Sequence, residues 1–218
     1  MRKFIEIPRP YLAQIAEDSD RIPRLYYASN YLLRRMFWQR LYRLNWLMDL
    51  TLKSRGSCLD FGGGSGVLLP TLAKAFRKVT LVDLEARQAE VIRNHYSLDN
   101  VEILQSDAAA LDFRDTPFDA AVAADVLEHF EDLSVPVSLL RSWMKPGGML
   151  FTSLPTENYV YVFLRKVFNV EKPWDHYHTG YEVEARLMES GFQRFKTSCV
   201  PLHFSIAPLF LISAWRRL

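Results

Sequence analysis

A run of glycines, followed by acids at regular intervals, is the part of this sequence best suited to chemistry. The segment 59–66 reads Leu-Asp-Phe-Gly-Gly-Gly-Ser-Gly and stands between an apolar run and an amphipathic run. Gly62, Gly64 and Gly66 lack a Cβ atom, so the backbone there can pass close to a ligand. The alternative interpretation of this segment alone is a tight turn from a strand into a helix.

The spacing of the glycines argues against a dinucleotide site. A dinucleotide fingerprint that starts at Gly62 needs its last glycine at position 67, which is Val67. Asp60 stands just before the loop, and its negative charge would repel a pyrophosphate. A cationic or hydroxylated ligand is therefore the better match.

Two more acids follow the next two apolar runs. Asp83 follows the run 79–82, and an acid about 20 residues beyond a glycine loop can accept hydrogen bonds from both ribose hydroxyls. Asp107 follows the run 101–105, where a carboxylate could accept a hydrogen bond from an adenine amino group. Either acid alone could instead cap a helix. Three acids at successive strand ends beside a glycine turn indicate a nucleoside site.

These residues need a scaffold that brings several strand ends to one edge. Short apolar runs alternate with amphipathic segments, which predicts a mainly parallel α/β sheet with helices on both faces. Two later segments, 192–202 and 206–215, could add two strands, one of them an antiparallel edge. The predicted strands are Cys58–Phe61, Val79–Val82, Val101–Gln105, Phe118–Ala124 and Met149–Leu154, and the predicted helices are Gly66–Phe76, Ala86–Tyr96, Ser134–Met144 and Gly180–Ser190.

Residues 1–52 differ in character and are predicted to form an N-terminal helical arm, followed by one domain over 53–218. Tyr31–Leu52 is predicted to be a single helix because apolar residues recur at steps of three and four. Six arginines and no acid lie between Arg21 and Met48. We expect the arm to cap the sheet and close over the site. The alternatives are a helix that lies on a membrane surface and a clamp for RNA.

Taken in order, these motifs resemble the class I S-adenosylmethionine-dependent methyltransferases over roughly residues 55–195. The glycine loop is similar to the D-x-G-x-G-x-G loop of that family, and the segments 81–83 and 106–108 are similar to its ribose-side and adenine-side acids. The segments 118–129 and 144–150 are similar to its fourth-strand motif and its turn into the fifth strand. The resemblance implies a Rossmann-like, doubly wound sheet of seven strands, with S-adenosylmethionine as cofactor and S-adenosylhomocysteine as product.

The resemblance also implies a role for each matching residue. Asp60 would face the methionine part of the cofactor, Asp83 the ribose and Asp107 the adenine, while Ala124 and Asp125 would lie near the sulfonium and methyl group. The implied cofactor-binding residues are Asp60, Gly62, Gly64, Gly66, Asp83, Leu84, Asp107, Ala108 and Ala124.

The acceptor is less closely indicated. Positions 123–126 read Ala-Ala-Asp-Val, where enzymes that methylate amino groups of nucleic-acid bases typically carry Asn/Asp-Pro-Pro-Tyr/Phe, so DNA is not expected as a partner. Residues 126–132 instead resemble the small-molecule branch, which includes quinone and lipid-precursor methylases. A small, apolar acceptor is predicted, with oxygen favoured over carbon or nitrogen. The alternatives are an RNA or protein methyltransferase and a non-catalytic regulatory module.

A hydroxyl acceptor needs a base, and His129 and Asp125 are the catalytic candidates. His129 could instead be structural. Asp125, Glu128 and His129 also resemble the ligand set of some metal-assisted members, but such sites usually need further ligands, so no metal is predicted. His176 and His178 are further candidates for a base, although a role in capping the following helix is favoured for one of them.

Composition sets the remaining expectations. Charged residues make up 24% of the 218, close to the roughly 25% of globular proteins, which excludes a disordered chain. A net charge of +2 does not favour nucleic acid, and two distant cysteines favour a reducing compartment. We expect a cytoplasmic protein, with contact to a membrane surface through residues 21–48 and 206–218 as an alternative. An aromatic insertion, about 155–181, fits an apolar acceptor pocket or lid. The oligomeric state is left open.

Overall fold

A computed structural model describes residues 3–17, 22–167, 176–201 and 206–218. Its centre is a seven-stranded sheet in the order β3-β2-β1-β4-β5-β7-β6. Strands β1 to β5 run parallel, and β7 lies antiparallel to both β5 and β6. The predicted doubly wound, mainly parallel sheet is confirmed. The strands are β1 (Ser57–Phe61), β2 (Lys78–Asp83), β3 (Val101–Gln105), β4 (Phe118–Ala124), β5 (Met144–Pro155), β6 (Phe192–Val200) and β7 (Phe210–Arg217).

Helices cover both faces of the sheet, and each face has its own apolar core. Leu12, Leu44, Leu69 and Ile92 belong to one core. The helices of segments 134–143 and 180–189 supply the other. Two of the helices, in segments 9–16 and 159–167, were not predicted. The helices are α1 (Arg9–Ala16), α2 (Tyr31–Thr51), α3 (Leu69–Ala75), α4 (Arg87–His95), α5 (Ser134–Trp143), α6 (Tyr159–Val167) and α7 (Gly180–Glu189).

The arm is part of the core. Helix α2 begins at Asn30, whose side chain accepts hydrogen bonds from the N–H groups of Leu32 and Leu33. Its inner face buries Trp38, Leu41, Leu44, Leu47 and Met48 against the sheet. Most of the aromatic and apolar surface of 21–48 is therefore unavailable to a membrane. Tyr31, Leu32 and Arg35 remain exposed, and Arg21 lies outside the described residues.

Strand β7 corrects the membrane prediction for the segment 206–218. It runs between β5 and β6, with its residues 210–215 buried. Trp215 cannot lie at a headgroup, because it is fully buried and its indole N–H donates to Thr152 at 3.0 Å. Ile206 and Leu218 are the exposed apolar residues of this segment. Within the described ranges, no helix is both long and apolar enough to cross a membrane.

The segment between β5 and α7 holds the predicted aromatic insertion. Helix α6 lies there with Tyr161 and Leu164 packed against the core and Tyr159 and Phe163 exposed. The residues 168–175 of the insertion lie outside the described part of the chain. The segment resumes at His176 and leads into α7, which begins at a capping box between Thr179 and Glu182. Neither His176 nor His178 caps this helix, contrary to the favoured interpretation.

Candidate functional site

A cleft of about 550 Å³ opens at the carboxyl ends of β1, β2 and β4. The strand order reverses between β1 and β4, and open α/β sheets bind ligands at such a switch point. Gly66 does not line the cleft, because it packs behind the loop against Ala89. The predicted residues that do line it are Asp60, Gly62, Gly64, Asp83, Leu84, Asp107, Ala108, Ala124, Asp125 and His129.

The glycine loop can only take this course with glycine at two of its positions. Gly62 and Gly64 have φ angles of +65° and +51°, in the left-handed region. A Cβ atom at Gly62 would also collide with the side chain of Val126. The Gly64 N–H donates to the Asp83 carboxylate at 2.8 Å, which ties the loop to the end of β2. The loop thereby presents bare backbone to the cleft.

Asp60 is a buried acid at the base of the cleft. Its side chain lies under Gly63, and its Oδ2 has no hydrogen-bond partner among the described residues. Burial, and after it the charge of Asp83, raises the pKa of Asp60 to about 7. A cationic group in the cleft would compensate the desolvated carboxylate. The chemistry of this position fits an ammonium group.

Asp107 has the capping role considered for it, whereas Asp83 does not cap α4, which begins after Ala86 without a side-chain cap; both acids line the cleft. Asp83 accepts from the Glu85 N–H at 2.9 Å in addition to Gly64. Asp107 accepts from the Ala109 N–H at 2.9 Å and so begins a short 3₁₀ turn. A carboxylate has about four acceptor positions. Each acid therefore keeps capacity for hydroxyl or amino groups of a ligand.

Apolar residues flank these acids at the rim. Leu84 follows Asp83 and is 68% exposed. Ala108, which follows β3, and Ala124, which ends β4, are small and half-buried. Leu84 on one side and Ala108 on the other could enclose a flat ring such as adenine. Bulky side chains at either alanine would narrow that space.

The arm contributes a cation that the sequence interpretation missed. Arg40 of α2 lines the cleft, is 2% exposed and forms an ion pair with Asp125. Its Nη2 donates to the Tyr26 hydroxyl at 2.7 Å, and its guanidinium carbon lies 3.9 Å from the centre of the Phe37 ring. Arg40 lies three residues after Phe37 and four before Leu44, so the sequence places an arginine on the apolar stripe of the helix. This spacing could have identified Arg40 as a buried cation.

Arg40 and Asp60 are charges of opposite sign in one cleft. Tyr26 is close to both: burial raises its pKa, and Arg40 and Asp60 act on that pKa in opposite directions. A zwitterion with an ammonium and a carboxylate, such as an amino acid, would match this pair of charges. The cleft therefore suits a ligand that joins an amino-acid part to a nucleoside part.

Asp125 is held from two sides. Its backbone is strained, with φ of +52°, and its N–H donates to the Ser153 carbonyl at 2.8 Å. Its carboxylate is bound by Arg40 and accepts from the Ser153 hydroxyl at 3.2 Å. A carboxylate in an ion pair is a weaker base. The geometry therefore favours a positioning role for Asp125 over the predicted role of base.

His129 lines the cleft beside a second histidine. The rings of His129 and His176 lie 4.6 Å apart, edge to face, and Nδ1 of His176 lies 3.2 Å from Glu157. The backbone carbonyl of Glu128 accepts from the N–H of Tyr177 at 2.9 Å, which docks the His176 segment here. His178, by contrast, contacts the Glu131 carbonyl at 3.1 Å and does not line the cleft.

This histidine pair is also the candidate metal position. One ligand atom each of Glu128, His129 and His176 lies within 4.8 Å of the others. The set differs from the one considered in the sequence, because Asp125 faces Arg40 and His176 takes its place. Nitrogen and oxygen donors of this kind suit a divalent transition metal. That no metal is resident stays a prediction.

Comparisons with known proteins agree with this geometry. Residues 59–152 match the family model described as a methyltransferase domain. The chain is 27% identical over 178 residues to a ubiquinone biosynthesis O-methyltransferase of Xylella fastidiosa, a match that covers 80% of this chain and 64% of the relative. It is 34% identical over 104 residues to the protein of that name from Methylocella silvestris, covering 44% and 38%. The matches thus span between 38% and 64% of these relatives.

Solved structures share the fold over nearly the whole chain. The N-methyltransferase NodS from Bradyrhizobium japonicum, in complex with S-adenosylhomocysteine, superposes with a TM-score of 0.68 at 18% identity, covering 94% of this chain and 98% of that one. The magnesium protoporphyrin IX methyltransferase from Synechocystis, with S-adenosylhomocysteine bound, gives 0.68 at 22% identity, covering 96% and 98%. The fold is that of the class I methyltransferases.

Fold, cleft and matched segment agree with the class that the sequence predicted. Residues 59–152 match a methyltransferase domain, and the chain has the fold of the class I S-adenosylmethionine-dependent methyltransferases.

Proposed function

We propose that this protein transfers the methyl group of S-adenosylmethionine to a small, apolar acceptor, with oxygen as the acceptor atom. The observation that carries the proposal is the row of acids Asp60, Asp83 and Asp107 around a bare glycine loop, at the ends of three neighbouring strands. This arrangement supplies acceptors for an ammonium, a ribose and an adenine amino group in that order.

The residues of the cleft would bind and orient the two reactants. Asp60 pairs with the ammonium of the cofactor and Arg40 with its carboxylate, while Asp83 accepts hydrogen bonds from the ribose hydroxyls. S-adenosylmethionine would supply an electrophilic methyl group, with S-adenosylhomocysteine as the leaving group. The task of the protein is then to align the acceptor and exclude water. Tyr26 and Leu41 of the arm also line the cleft.

His129 is the proposed base that receives the proton of a hydroxyl acceptor. It lines the cleft on the same side as Ala124 and Asp125, where the resemblance places the methyl group. Imidazole titrates near neutral pH and suits this role. The relatives from Xylella fastidiosa and Methylocella silvestris are named as O-methyltransferases, which also supports oxygen as the acceptor atom. A divalent metal on Glu128, His129 and His176 would be another way to lower the pKa of a bound hydroxyl.

Calorimetric titration with S-adenosylhomocysteine, with NAD as the control, tests the cofactor. We expect binding of the first in the micromolar range, about −8 kcal/mol, and none of the second. Radiolabelled methyl transfer to a panel of phenols, catechols, amines, RNA and protein then tests the acceptor. Transfer to RNA or protein alone would overturn the small-molecule proposal. Cofactor binding without turnover on any acceptor would favour the regulatory module.

We propose a cytoplasmic location, with any membrane contact limited to the exposed start of α2. Tyr31, Leu32 and Arg35 supply apolar surface and charge there. Sedimentation with anionic and with neutral vesicles tests the contact. Salt-sensitive binding to the anionic vesicles only is the expected result. Equal amounts of protein in both supernatants would contradict it.

A further inference from the structure

A second cavity lies between α2, α6 and the start of β7. It encloses about 90 Å³ and is open to the surface. Its walls include Leu33 and Phe37 of α2, Leu164 of α6, and Leu209 and Phe210. Among the described residues that line it, Arg165 alone is charged.

Arg165 is poorly partnered for a buried cation. Its side chain is 15% exposed, and its Nε and Nη1 are buried with no hydrogen-bond partner among the residues described. Its Nη2 lies 3.5 Å from Glu157, at the limit of a hydrogen bond. Buried donors that make no hydrogen bond cost free energy. An anionic group that reached these donors from the groove would satisfy them.

A chain of contacts joins Arg165 to the acceptor side of the cleft. Glu157 approaches Arg165 with one carboxylate oxygen and His176 with the other, the latter at 3.2 Å. The His176 ring in turn lies 4.6 Å from that of His129. Phe37 also lines the groove, and the centre of its ring lies 3.9 Å from the guanidinium carbon of Arg40. Contacts through Glu157 and through Phe37 therefore connect the groove to the acceptor side of the cleft.

We propose that this groove anchors the acceptor, and that the acceptor is an apolar molecule with an acidic group that Arg165 binds. The inference rests on the proposed function and deepens it. A carboxylate would satisfy the buried donors of Arg165 by charge-assisted hydrogen bonds, and the apolar body would fill the groove. An uncharged ligand of the same shape would bind more weakly, because it leaves Nε and Nη1 of Arg165 without hydrogen-bond acceptors.

Binding of octanoate in the presence of S-adenosylhomocysteine, measured by calorimetry, tests the proposal. Octanol and octylamine are the uncharged and cationic controls. We expect octanoate to bind at least about tenfold more tightly than octanol, and octylamine not to bind. Arg165→Gln should remove that preference, whereas Lys166→Gln, at the exposed neighbouring position, should preserve it. Leu33→Trp, which fills the groove, should weaken octanoate and octanol alike.

Several outcomes would overturn the proposal. Octanol bound as tightly as octanoate would exclude the anion site, as would equal losses for Arg165→Gln and Lys166→Gln. If Arg165→Gln does not fold, unaltered octanoate binding by Leu33→Trp would still refute the groove. In the methyl-transfer assay, a phenol that carries a carboxylate and is turned over no faster than its methyl ester would also contradict it. Titration of S-adenosylhomocysteine alone keeps this failure separate from failure of the proposed function.

Discussion

The two halves of the cleft are built in different ways. The cofactor half takes its residues from the ends of β1 and β2 and from the short segments that follow β1, β2 and β3, so each acid is fixed by its own strand. The acceptor half combines the arm, the end of β4, the segment after β5 and the segment before α7. Arg40, Asp125, Glu157 and His176 meet there across the whole length of the chain. A local motif can specify the first half, whereas only the folded chain assembles the second.

His129→Gln probes the acceptor half and should have the largest effect. Loss of a general base typically lowers kcat by a factor of about 10² to 10⁴, while S-adenosylhomocysteine should still bind normally. Steady-state kinetics and calorimetry would measure both. His178→Gln is the matched control and should leave kcat unchanged.

The same variant distinguishes a base from a metal ligand. With His129 as base, kcat of the wild type follows the titration of one imidazole and is insensitive to chelators. If a chelator abolishes activity and a divalent metal restores it, the metal on Glu128, His129 and His176 takes over the role, and the prediction of no metal is wrong.

Arg40→Met tests whether the arm belongs to the cleft. It leaves the carboxylate of Asp125 without its guanidinium, and breaking such a pair typically costs about 3 kcal/mol of unfolding free energy. Cofactor affinity should fall as well. Urea denaturation and calorimetry would measure the two effects, with Arg35→Met as the exposed control. If Arg40→Met changed neither quantity, the arm would be only a cover for the sheet.

Asp83→Ala probes the cofactor half. Loss of a charge-assisted hydrogen bond to the ribose should weaken S-adenosylhomocysteine by about 1.5 kcal/mol or more, or at least tenfold. Since Asp83 also holds Gly64, the melting temperature of the variant must be compared with that of the wild type. Asp115→Ala, on an exposed loop, is the control. Unchanged affinity in a folded Asp83→Ala protein would remove the ribose assignment.

The pH dependence of S-adenosylhomocysteine binding through Asp60 is the smallest predicted effect, and the raised pKa of Asp60 fixes its direction. Because the pKa is raised to about 7, the carboxylate that pairs with an ammonium is lost as the pH falls below 7. Affinity for S-adenosylhomocysteine should therefore fall by up to about tenfold between pH 8 and pH 6. Calorimetry at both values would show it. Asp60→Asn should bind weakly and almost independently of pH.

In the free protein the same raised pKa acts on stability in the opposite direction. Its contribution is fully present below pH 4 and is lost as the pH rises through 7. Asp60→Asn should therefore stabilise the free protein more at pH 8 than at pH 5. Thermal unfolding would measure the difference, and a larger gain at pH 5 would contradict the assignment.

These differences explain which parts of the molecule could be predicted from its sequence. The strands of the cofactor half are apolar runs that end in acids or glycines, so their bounds were predicted to within one residue of Ser57–Phe61 and Lys78–Asp83. Helix α6 was missed because its aromatic residues suggested only a pocket or lid. The partner of Asp125 was missed because nothing local indicates that Arg40, 85 positions earlier, faces it.

The position of β7 has a consequence for how the chain reaches its fold. Strand β6 is synthesised before β7, yet its place in the sheet is next to β7 and not next to β5. Until Phe210–Arg217 has entered, β5 and β6 face each other across a gap, each with an open edge. Such edges are prone to mispairing. This half of the sheet can therefore form only after β7 has been synthesised, because β7 supplies the hydrogen bonds that join β5 to β6.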